Sequence, residues 1–515
     1  MVLAACGGGG DEDAAVPDAP RASSQDLRVA VGEDPFLRDG QTLDVGLRAS
    51  GPGPGIFETL TRLSGGFGLT PGLALRWESP SASQWRFFLR PNVTFHNGAP
   101  LDGPAVVAAL EAIARRPNHP RGLEPGTAKA TADLTVEVAL ASDNARLAEQ
   151  LAGPAMGIPA PGTQAGAGEE AATTPTGTGP FRFDSYRPGA ELRVKANDAY
   201  WGPKPQLRTI TFRFGPDRDA GRLLATRQVE LVGVVPYPFL PKVSGRTDRL
   251  VTSQPARAEF LLLNTGGIEE WTTLKDDNVR RAIALALDRK AAAKAAWPDE
   301  GEESDTIVPE LVLGDARDRV KPPSQNVEEA KRLLDQAGWA GGGDGVRVKE
   351  GRPLNLGLVL ARPPEQERAV EVLKDQLRAV GVGLTVVDPS PESPFNRVNA
   401  ATFDLYLASQ PQDDGNPCAL CRLFTVRPGG QLAFASASGG GQKADDLYER
   451  VFVSPSPDTA RRLAADIVNV VVAERFTAIP LASLRNAWLV SPRVRGFEPA
   501  ALAGDQQWES VWLTV

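Results

Sequence analysis

The chain has 515 residues, of which 42% are hydrophobic, and a formal net charge of −8 at pH 7. This length exceeds one typical domain, and the hydrophobic content is enough for cores in at least two lobes. The acidic balance argues against a nucleic-acid partner, because no basic stripe offsets the repulsion by phosphate, and no run approaches the ~20 apolar residues of a membrane-spanning helix.

The start of the chain, MVLAACGGGGDEDAAVPDAP, changes character at Cys6. Leu-Ala-Ala precedes this cysteine and a run of glycine, acids and proline follows it, which is similar to a bacterial lipobox and its tether. We therefore expect residues 1–25 to be a signal remnant and flexible tether, with Cys6 lipidated and the protein extracytoplasmic. Only five residues precede Cys6, so the start is expected to be truncated or misassigned. A chance cysteine in a disordered tail is the alternative.

Folded structure is predicted from about residue 27. The first strand is predicted at LRVAV, 27–31, and the segments IFETLTRLS from 56 and WRFFLRPNVTFHNG from 85 follow it. Pro104 then opens a helix with Leu110 on its apolar face. We interpret His96 as a polar residue of its turn and not as a metal ligand, because His119, the only other histidine, lies in a proline-rich loop.

The stretch Thr176–Trp201, TGTGPFRFDSYRPGAELRVKANDAYW, combines a glycine-proline turn and two predicted strands, and it ends in the aromatic pair Tyr200-Trp201. Gly177 and Gly179 allow a tight backbone path, and Pro188 begins the turn that returns the chain. Alternation of apolar and polar residues on both sides of that turn predicts a hairpin. An ordinary hairpin is one interpretation of this stretch.

The same stretch resembles the signature of the peptide and nickel class of solute-binding proteins, family 5, and the segments before it match that family in the same order. The resemblance extends over nearly the whole mature chain. It implies an α/β, two-lobed fold of the periplasmic-binding-protein type II (cluster C), with a ligand cleft between the lobes.

Two apolar segments resemble the family's crossings between lobes: FLLLNT at 260–265 and AIPLASLRNAWLV at 478–490. Between them, helical and strand patterns alternate as in an α/β domain. One helix is predicted from a capping box of Asn326 and Glu329, with Gly338 as its C-terminal cap. The expected domains are 26–265 plus 479–515 as the first lobe, with a subdomain at about 57–175, and 266–478 as the second lobe.

No catalytic motif is found: the sequence has no Gly-x-Ser-x-Gly, no phosphate loop with Gly-Lys-Ser/Thr and no His-Glu-x-x-His. We therefore expect no enzyme activity, no catalytic or metal-binding residues and no cofactor. An acidic pair such as Asp413 and Asp414 could do acid–base work, but such pairs in polar loops are usually only solvated. An extracytoplasmic hydrolase on the same fold is the alternative from another class.

Ligand-binding residues are implied by the resemblance, in the stretch SQPQDDGNP from Ser409. In peptide-binding relatives an acid in a pattern like Gly-Trp-x-x-Asp-x-x-x-Pro pairs with the ligand's ammonium group, and Asp413 and Pro417 match the acid and the proline. Ser409 and Gln410 replace the expected glycine and tryptophan, which weakens the peptide assignment. Gln410, Asp413 and Asp414 are candidate ligand contacts, and a solvated loop acid is the alternative for Asp413.

Arg362, in LARPPEQER, stands where dipeptide-binding relatives use an arginine against the ligand carboxylate, a group whose geometry a guanidinium matches. A solvent-facing arginine before a helix is the alternative. Cys418 and Cys421 form a Cys-x-x-Cys without a second ligand pair or a thioredoxin-like context. A local disulfide that stiffens the loop is the expectation for an extracytoplasmic protein.

The predicted function is capture: a lipid-anchored, monomeric solute-binding protein of an ATP-driven importer, which closes its lobes around a short peptide and presents it to a permease and its ATPase. A nickel chelate, a sugar or another small solute is the alternative ligand. The missing tryptophan favours that alternative, and the scarcity of histidine argues against direct metal ligation.

Overall fold

The computed structural model describes residues 20–32, 34, 37–38, 42–43, 54–64, 68–116, 119–163, 174–215, 222–233, 248–266, 271–298, 301–387, 394–412, 414–425 and 440–515. Strands of the first half are β1 (Asp26–Val31), β2 (Leu37–Arg38), β3 (Thr42–Leu43), β4 (Thr61–Leu63), β5 (Leu69–Pro71), β6 (Ala74–Ser81), β7 (Gln84–Leu89), β8 (Ala128–Ala132), β9 (Thr135–Ala139), β10 (Phe181–Arg187), β11 (Glu191–Ala196), β12 (Thr209–Phe214), β13 (Leu231–Val232) and β14 (Arg249–Leu263). The helices there include α1 (Gly103–Ala114) and α2 (Leu147–Leu151).

Helices dominate the second half of the described chain: α3 (Asp277–Ala286), α4 (Arg289–Ala296), α5 (Glu310–Leu313), α6 (Val327–Gln336), α7 (Pro363–Arg378), α8 (Pro394–Asn399), α9 (Gly441–Val453) and α10 (Pro457–Asn469). The strands are β15 (Gly301–Glu303), β16 (Val348–Lys349), β17 (Arg352–Pro353), β18 (Asn355–Leu360), β19 (Gly383–Val386), β20 (Leu405–Pro411), β21 (Ala478–Val490), β22 (Val494–Arg495) and β23 (Trp512–Leu513).

A sheet of eleven strands joins the two halves, in the order β10-β11-β12-β1-β13-β21-β14-β20-β18-β19, with β15 beside β21. Strands β14 and β21 are its longest antiparallel pair, from Arg249 opposite Val490 to Leu262 opposite Ala478. β13 borders one end of this pair and β20 borders the other. The two strands therefore run from one lobe into the other.

Hydrophobic clusters on either side of this connection define the lobes. The first lobe contains one cluster around Phe87 and Leu110 and another around Phe212 and Trp508. The second lobe contains two clusters built from β14, β18, β20 and the helices α3 to α10, with Phe424 among the fully buried side chains. The predicted α/β, two-lobed fold is confirmed, while the residue limits of the two domains stay a prediction.

Between the lobes the pairing of β14 with β21 is irregular. Its register shifts between Thr252 and Pro255, and again before Arg257. Inside the irregular stretch, the Ser253 hydroxyl accepts a hydrogen bond from the Asn486 amide at 2.9 Å. Irregular pairing bends a strand and weakens the ladder locally, so we place the hinge between the lobes here.

The glycines of the signature stretch are required by a close backbone approach. A Cβ added to Gly177 would lie 2.1 Å from the Ile56 carbonyl oxygen, and one added to Gly179 would lie 2.3 Å from the Gly55 oxygen. The Gly179 amide donates to Ile56 O at 3.0 Å. Only residues without a side chain allow the signature turn to pair with this segment.

The His96 side chain also holds the turn at Gly177 and Gly179, through a hydrogen bond at each ring nitrogen. Its Nδ1 accepts a hydrogen bond from the Gly177 amide at 3.3 Å, so Nε2 carries the proton and donates to Gly179 O at 3.0 Å. Burial of the ring, together with the charge of Arg182, lowers the pKa of His96 to about 4 despite the bond to Gly179. The imidazole is therefore neutral and serves the turn.

We expect His96 to make the protein less stable in mild acid. The unfolded chain binds the histidine proton near its ordinary pKa of about 6.5, so the free energy of unfolding falls as the pH drops from about 6.5 to about 4. The contribution is about 3 kcal/mol. Urea unfolding should show a smaller loss over this range for His96→Gln than for the parent.

His119→Gln is the matched control, because His119 is exposed and, among the described residues, its hydrogen bond is within its own loop, through Nδ1 to Arg116 O. This variant should keep the pH dependence of the parent. Identical pH dependences for the parent and His96→Gln would contradict the role of His96.

Candidate functional site

Candidate ligand-binding residues of the second lobe lie at one edge of the sheet. Strands β18, β19 and β20 are parallel, and Arg362 follows the end of β18 at Leu360. Gln410 lies near the end of β20. Ligands of open α/β sheets bind outside the carboxyl ends of such strands, so the structure brings Arg362 and Gln410 to an edge suited to a ligand.

A buried network of charged side chains supports Arg362. Its Nε donates to Glu365 Oε1 at 2.5 Å, and its backbone amide donates to Gln366 Oε1 at 3.0 Å. The other oxygen of Glu365 lies 3.2 Å from Arg257 Nη2. Arg257 Nε also lies 3.6 Å from Glu259 Oε1, and Gln366 Nε2 donates to Glu259 Oε2 at 2.8 Å. The network therefore reaches from the start of α7 to strand β14.

Burial decides the electrostatics of this network. Glu259 is 1% exposed, and burial raises its pKa to about 6 against the opposing effects of Arg257, Ser409 and Gln366. The side chain of Arg362 is 40% exposed, whereas that of Glu365 is 7% exposed. Arg257 pairs with both Glu259 and Glu365 and so fixes the position of Glu365. Glu365 in turn orients Arg362 as a partly exposed cation that can bind an anionic ligand group.

The candidate ligand contacts Gln410 and Asp414 lie at and just after the end of β20. The Asp414 carboxylate accepts a hydrogen bond from the Asn416 amide at 2.8 Å, and Gln412 Nε2 donates to Asp414 O at 2.7 Å. Asp414 thus serves its own turn. Gln410, partly buried, lies opposite Ala258 in the sheet, one residue on from the Ser409–Glu259 pair. Asp413 and Cys6 lie outside the described residues.

The same loop carries a disulfide and contacts the first lobe. Cys418 and Cys421 are bonded, with their sulfurs 2.07 Å and their Cα atoms 4.8 Å apart. The Gly415 amide donates to Glu149 O of the first lobe at 3.1 Å. A Cβ on Gly415 would lie 2.6 Å from Leu63 Cδ2, so the absence of a side chain lets this loop close against the first lobe.

A cavity of about 430 Å³ lies in the first lobe beside the hinge. Its lining includes Arg62 and Asp505, and Gln254 of the hinge. Burial raises the pKa of Asp505 to about 6, and Arg62 opposes this rise. Leu63 and Leu502 line the cavity and also pack on the second-lobe core. This places a cavity of ligand size, with a mixed polar and apolar lining, at the lobe boundary.

Sequence reasoning missed Arg257, Glu259 and Glu365, which hold Arg362. A signal was present: RAEFLLL puts two charges on one face of a strand whose other positions are apolar. Charges in such a strand must find partners when buried. It also missed Arg62 and Asp505, for which the sequence offers no signal because they are 443 residues apart.

In the described part of the chain, no three His, Cys, Asp or Glu side chains are grouped so that they could hold a metal ion. Nor does any described helix combine the length and the apolar character needed to cross a bilayer.

Two lobes that are joined by long strands, with charged groups at their boundary, define a binding protein that encloses its ligand. The sequence profile of the "Bacterial extracellular solute-binding proteins, family 5 Middle" matches residues 68–430 of this chain. The match covers more than half of the 515 residues. The chain therefore belongs to the family 5 bacterial extracellular solute-binding proteins.

Among similar proteins, the nickel-binding periplasmic protein of Escherichia coli K12 is 25% identical over 374 residues, which cover 68% of this chain and 69% of that protein. The dipeptide-binding protein of the same organism is 28% identical over 261 residues, covering 49% of this chain and 46% of that protein.

Solved structures show the same fold. NikA from Brucella suis in complex with Fe(III)-EDTA has a TM-score of 0.80 at 24% identity, covering 95% of this chain and all of that one. AppA from Bacillus subtilis in complex with a nonapeptide has a TM-score of 0.75 at 19% identity, covering 96% of this chain and 100% of that one.

We expect Arg257 to be essential for stability. Arg257→Met leaves the carboxylates of Glu259 and Glu365 buried without their shared cation, which costs about 3 kcal/mol of the free energy of unfolding. Because the pKa of Glu259 is already raised, the loss should be larger at about pH 8, where the carboxylate is ionised, than at about pH 5. Urea unfolding at both pH values measures it.

Arg317→Met is the control, since Arg317 is 54% exposed and pairs with Glu310 at the surface. It should change the free energy of unfolding by less than about 1 kcal/mol. The double variant Arg257→Met/Glu259→Gln should recover part of the loss. An effect of Arg257→Met as small as that of Arg317→Met would contradict the network.

Proposed function

We propose that this protein captures short peptides between its lobes and delivers them to the permease and ATPase of an ATP-driven importer. The contact of the loop after β20 with the first lobe carries the proposal, because Gly415 N donates to Glu149 O across the boundary. A binding protein whose lobes close on each other can enclose a ligand and present a closed form to its permease. Relatives named as dipeptide-binding and oligopeptide-binding proteins support a peptide.

The proposed contacts match the two ends of a peptide. Arg362, held by Glu365, offers a guanidinium to a carboxylate. The family pattern assigns Asp413 to the ammonium group, with Gln410 and Asp414 beside it. A desolvated carboxylate facing an ammonium group would be a charge-assisted contact. Such a pair recognises the zwitterionic backbone that all short peptides share.

A nickel chelate or another small solute is the second candidate. The nickel-binding relative, matched over 68% of this chain, favours it. Because the described residues hold no group of metal ligands, the metal would arrive within a chelate, whose carboxylates could bind Arg362. A hydrolase on this fold is the third candidate, and a screen of esterase and peptidase substrates tests it.

We also propose that Cys6 carries a lipid anchor and that Cys418 and Cys421 are paired in the mature, extracytoplasmic protein. The lipobox-like start supports the first statement, and the separation of 4.8 Å between the two Cα atoms, which a disulfide can span, supports the second. Intact-mass analysis of membrane fractions tests the anchor, in protein expressed with a complete signal. Two free thiols in protein purified without reductant would contradict the disulfide.

Removal of the Asp413 carboxylate should lower affinity without lowering stability, whereas loss of Arg362 also removes one partner of the buried Glu365. Asp413→Asn should cost on the order of 2–5 kcal/mol of binding, well over tenfold, because a buried ammonium group loses its partner. Arg362→Gln should weaken binding about tenfold, since Arg362 is only partly buried. Calorimetry with a set of di- and tripeptides measures both effects, and thermal unfolding checks the fold.

Glu367→Gln is the control, because Glu367 is an exposed residue of the same helix as Glu365. It should bind as the parent does. If the parent binds no peptide in the set but binds a nickel chelate, the second candidate replaces the first. Equal peptide affinities for the parent and Asp413→Asn would make Asp413 a surface residue.

A further inference from the structure

The end of helix α9 in the second lobe lies against a segment of the first lobe near α2. The Ala145 amide donates to Phe452 O at 2.6 Å, a hydrogen bond between residues of different lobes. A few residues further along the first lobe, Glu149 O accepts from Gly415. Contacts of this kind require the two lobes to lie against each other.

Arg146 makes the central contact of this surface. Its Nη2 donates to Ser454 O at 2.9 Å and to Pro455 O at 3.2 Å, both in the connection after α9. Its Nη1 donates to Glu149 Oε1 of its own lobe at 2.6 Å. The side chain of Arg146 is only 2% exposed, so it has no surface left for a solute.

The acceptors of Arg146 are held in place by the sequence of the second lobe. Ser454 is the C-terminal cap of α9, and Ser456 caps α10 through its hydroxyl, which accepts from the Thr459 amide at 3.3 Å. Pro455 stands between the two caps and has no amide hydrogen. Carbonyls at a helix C-terminus lack partners within the helix and carry partial negative charge, which favours a cation.

Arg121 adds a second cation to the same helix end. Its Nη2 lies 2.6 Å from Glu449 Oε2, and its guanidinium carbon lies 5.0 Å from the centre of the Phe452 ring. Phe452 is itself 1% exposed and stacks edge-on against Tyr448. Arg146 and Arg121 of the first lobe therefore both contact the C-terminal end of helix α9 in the second lobe.

We propose that Arg146, assisted by Arg121, sets the solute affinity of this protein without touching the solute, by capping α9 only in the closed form. The proposal rests on the proposed function, since the affinity of a protein that encloses its ligand depends on the free energy of its closed state. Charged hydrogen bonds that open on lobe separation add to the stability of that state.

Hydrogen exchange of the amides of Ala145 and Gly415, in the full chain without added solute, tests the proposal. Both amides donate across the lobe boundary, so their protection reports the closed population. We expect Arg146→Met/Glu149→Gln, which removes the buried ion pair as a unit, to lower their protection about tenfold. Glu449→Gln should lower it less, and amides within β9 should keep their rates.

Arg115→Met is the matched control, because Arg115 is 64% exposed and pairs with Glu111 inside the first lobe. It should leave both amides protected. The proposal is overturned if Ala145 and Gly415 exchange in the double variant as in the parent, or if they are unprotected in the parent itself.

Solute binding provides a separate measurement. If a di- or tripeptide binds the parent, the double variant should bind it about tenfold more weakly, and an equal affinity would overturn the proposal. If no peptide binds any variant while the exchange result holds, the peptide assignment fails and the role of Arg146 in closure stands.

Discussion

The pairing of β14 with β21 is the constraint on which the rest of the structure depends. These strands are the only elements in the described part of the chain that are shared by the sheet portions of both lobes. The pairing continues into each lobe, and its register shifts on either side of Pro255 and once more between Glu259 and Phe260. In the described part of the chain this strand pair is thus the sheet connection that sets the positions of the lobes for interlobe contacts such as that of Gly415.

The strand pair also explains why charged residues lie inside an apolar region. Glu259 and Arg257 occupy one face of β14 next to the hinge, where the opposite face is filled by Phe260 and its neighbours. Their burial is tolerated because Gln366 and Glu365 satisfy them from the start of α7. The hinge, the network and Arg362 are therefore physically continuous, so that movement of β14 reaches the proposed ligand contact.

Local features of the fold could be predicted from the sequence. The Asn326 side chain accepts from the Glu329 amide at 3.0 Å, and Gly338 adopts φ +84°, as the capping pattern indicates. The two glycines Gly177 and Gly179 likewise predicted the tight backbone path that the structure shows. These features depend on residues a few positions apart, or on a backbone conformation that glycine alone favours.

Features that depend on distant residues could not be predicted. The apolar segment FLLLNT marks only six residues, whereas β14 has 15, because its upstream residues pair with β21 more than two hundred positions away. The capping of α9 by Arg146 joins residues 308 positions apart. Nothing near Arg146 in the sequence distinguishes it from a surface arginine, since two of its three acceptors, Ser454 O and Pro455 O, lie in a distant part of the chain.

We propose above all that the protein encloses a solute between its lobes. Native mass spectrometry of the protein purified from its own host under non-denaturing conditions tests this most directly, because a trapped ligand is released and weighed. The account predicts one bound species per chain, with masses and fragments of short peptides, which is lost on unfolding. A chain that carries no solute, and whose mass does not change when peptides or metal chelates are added, would contradict it.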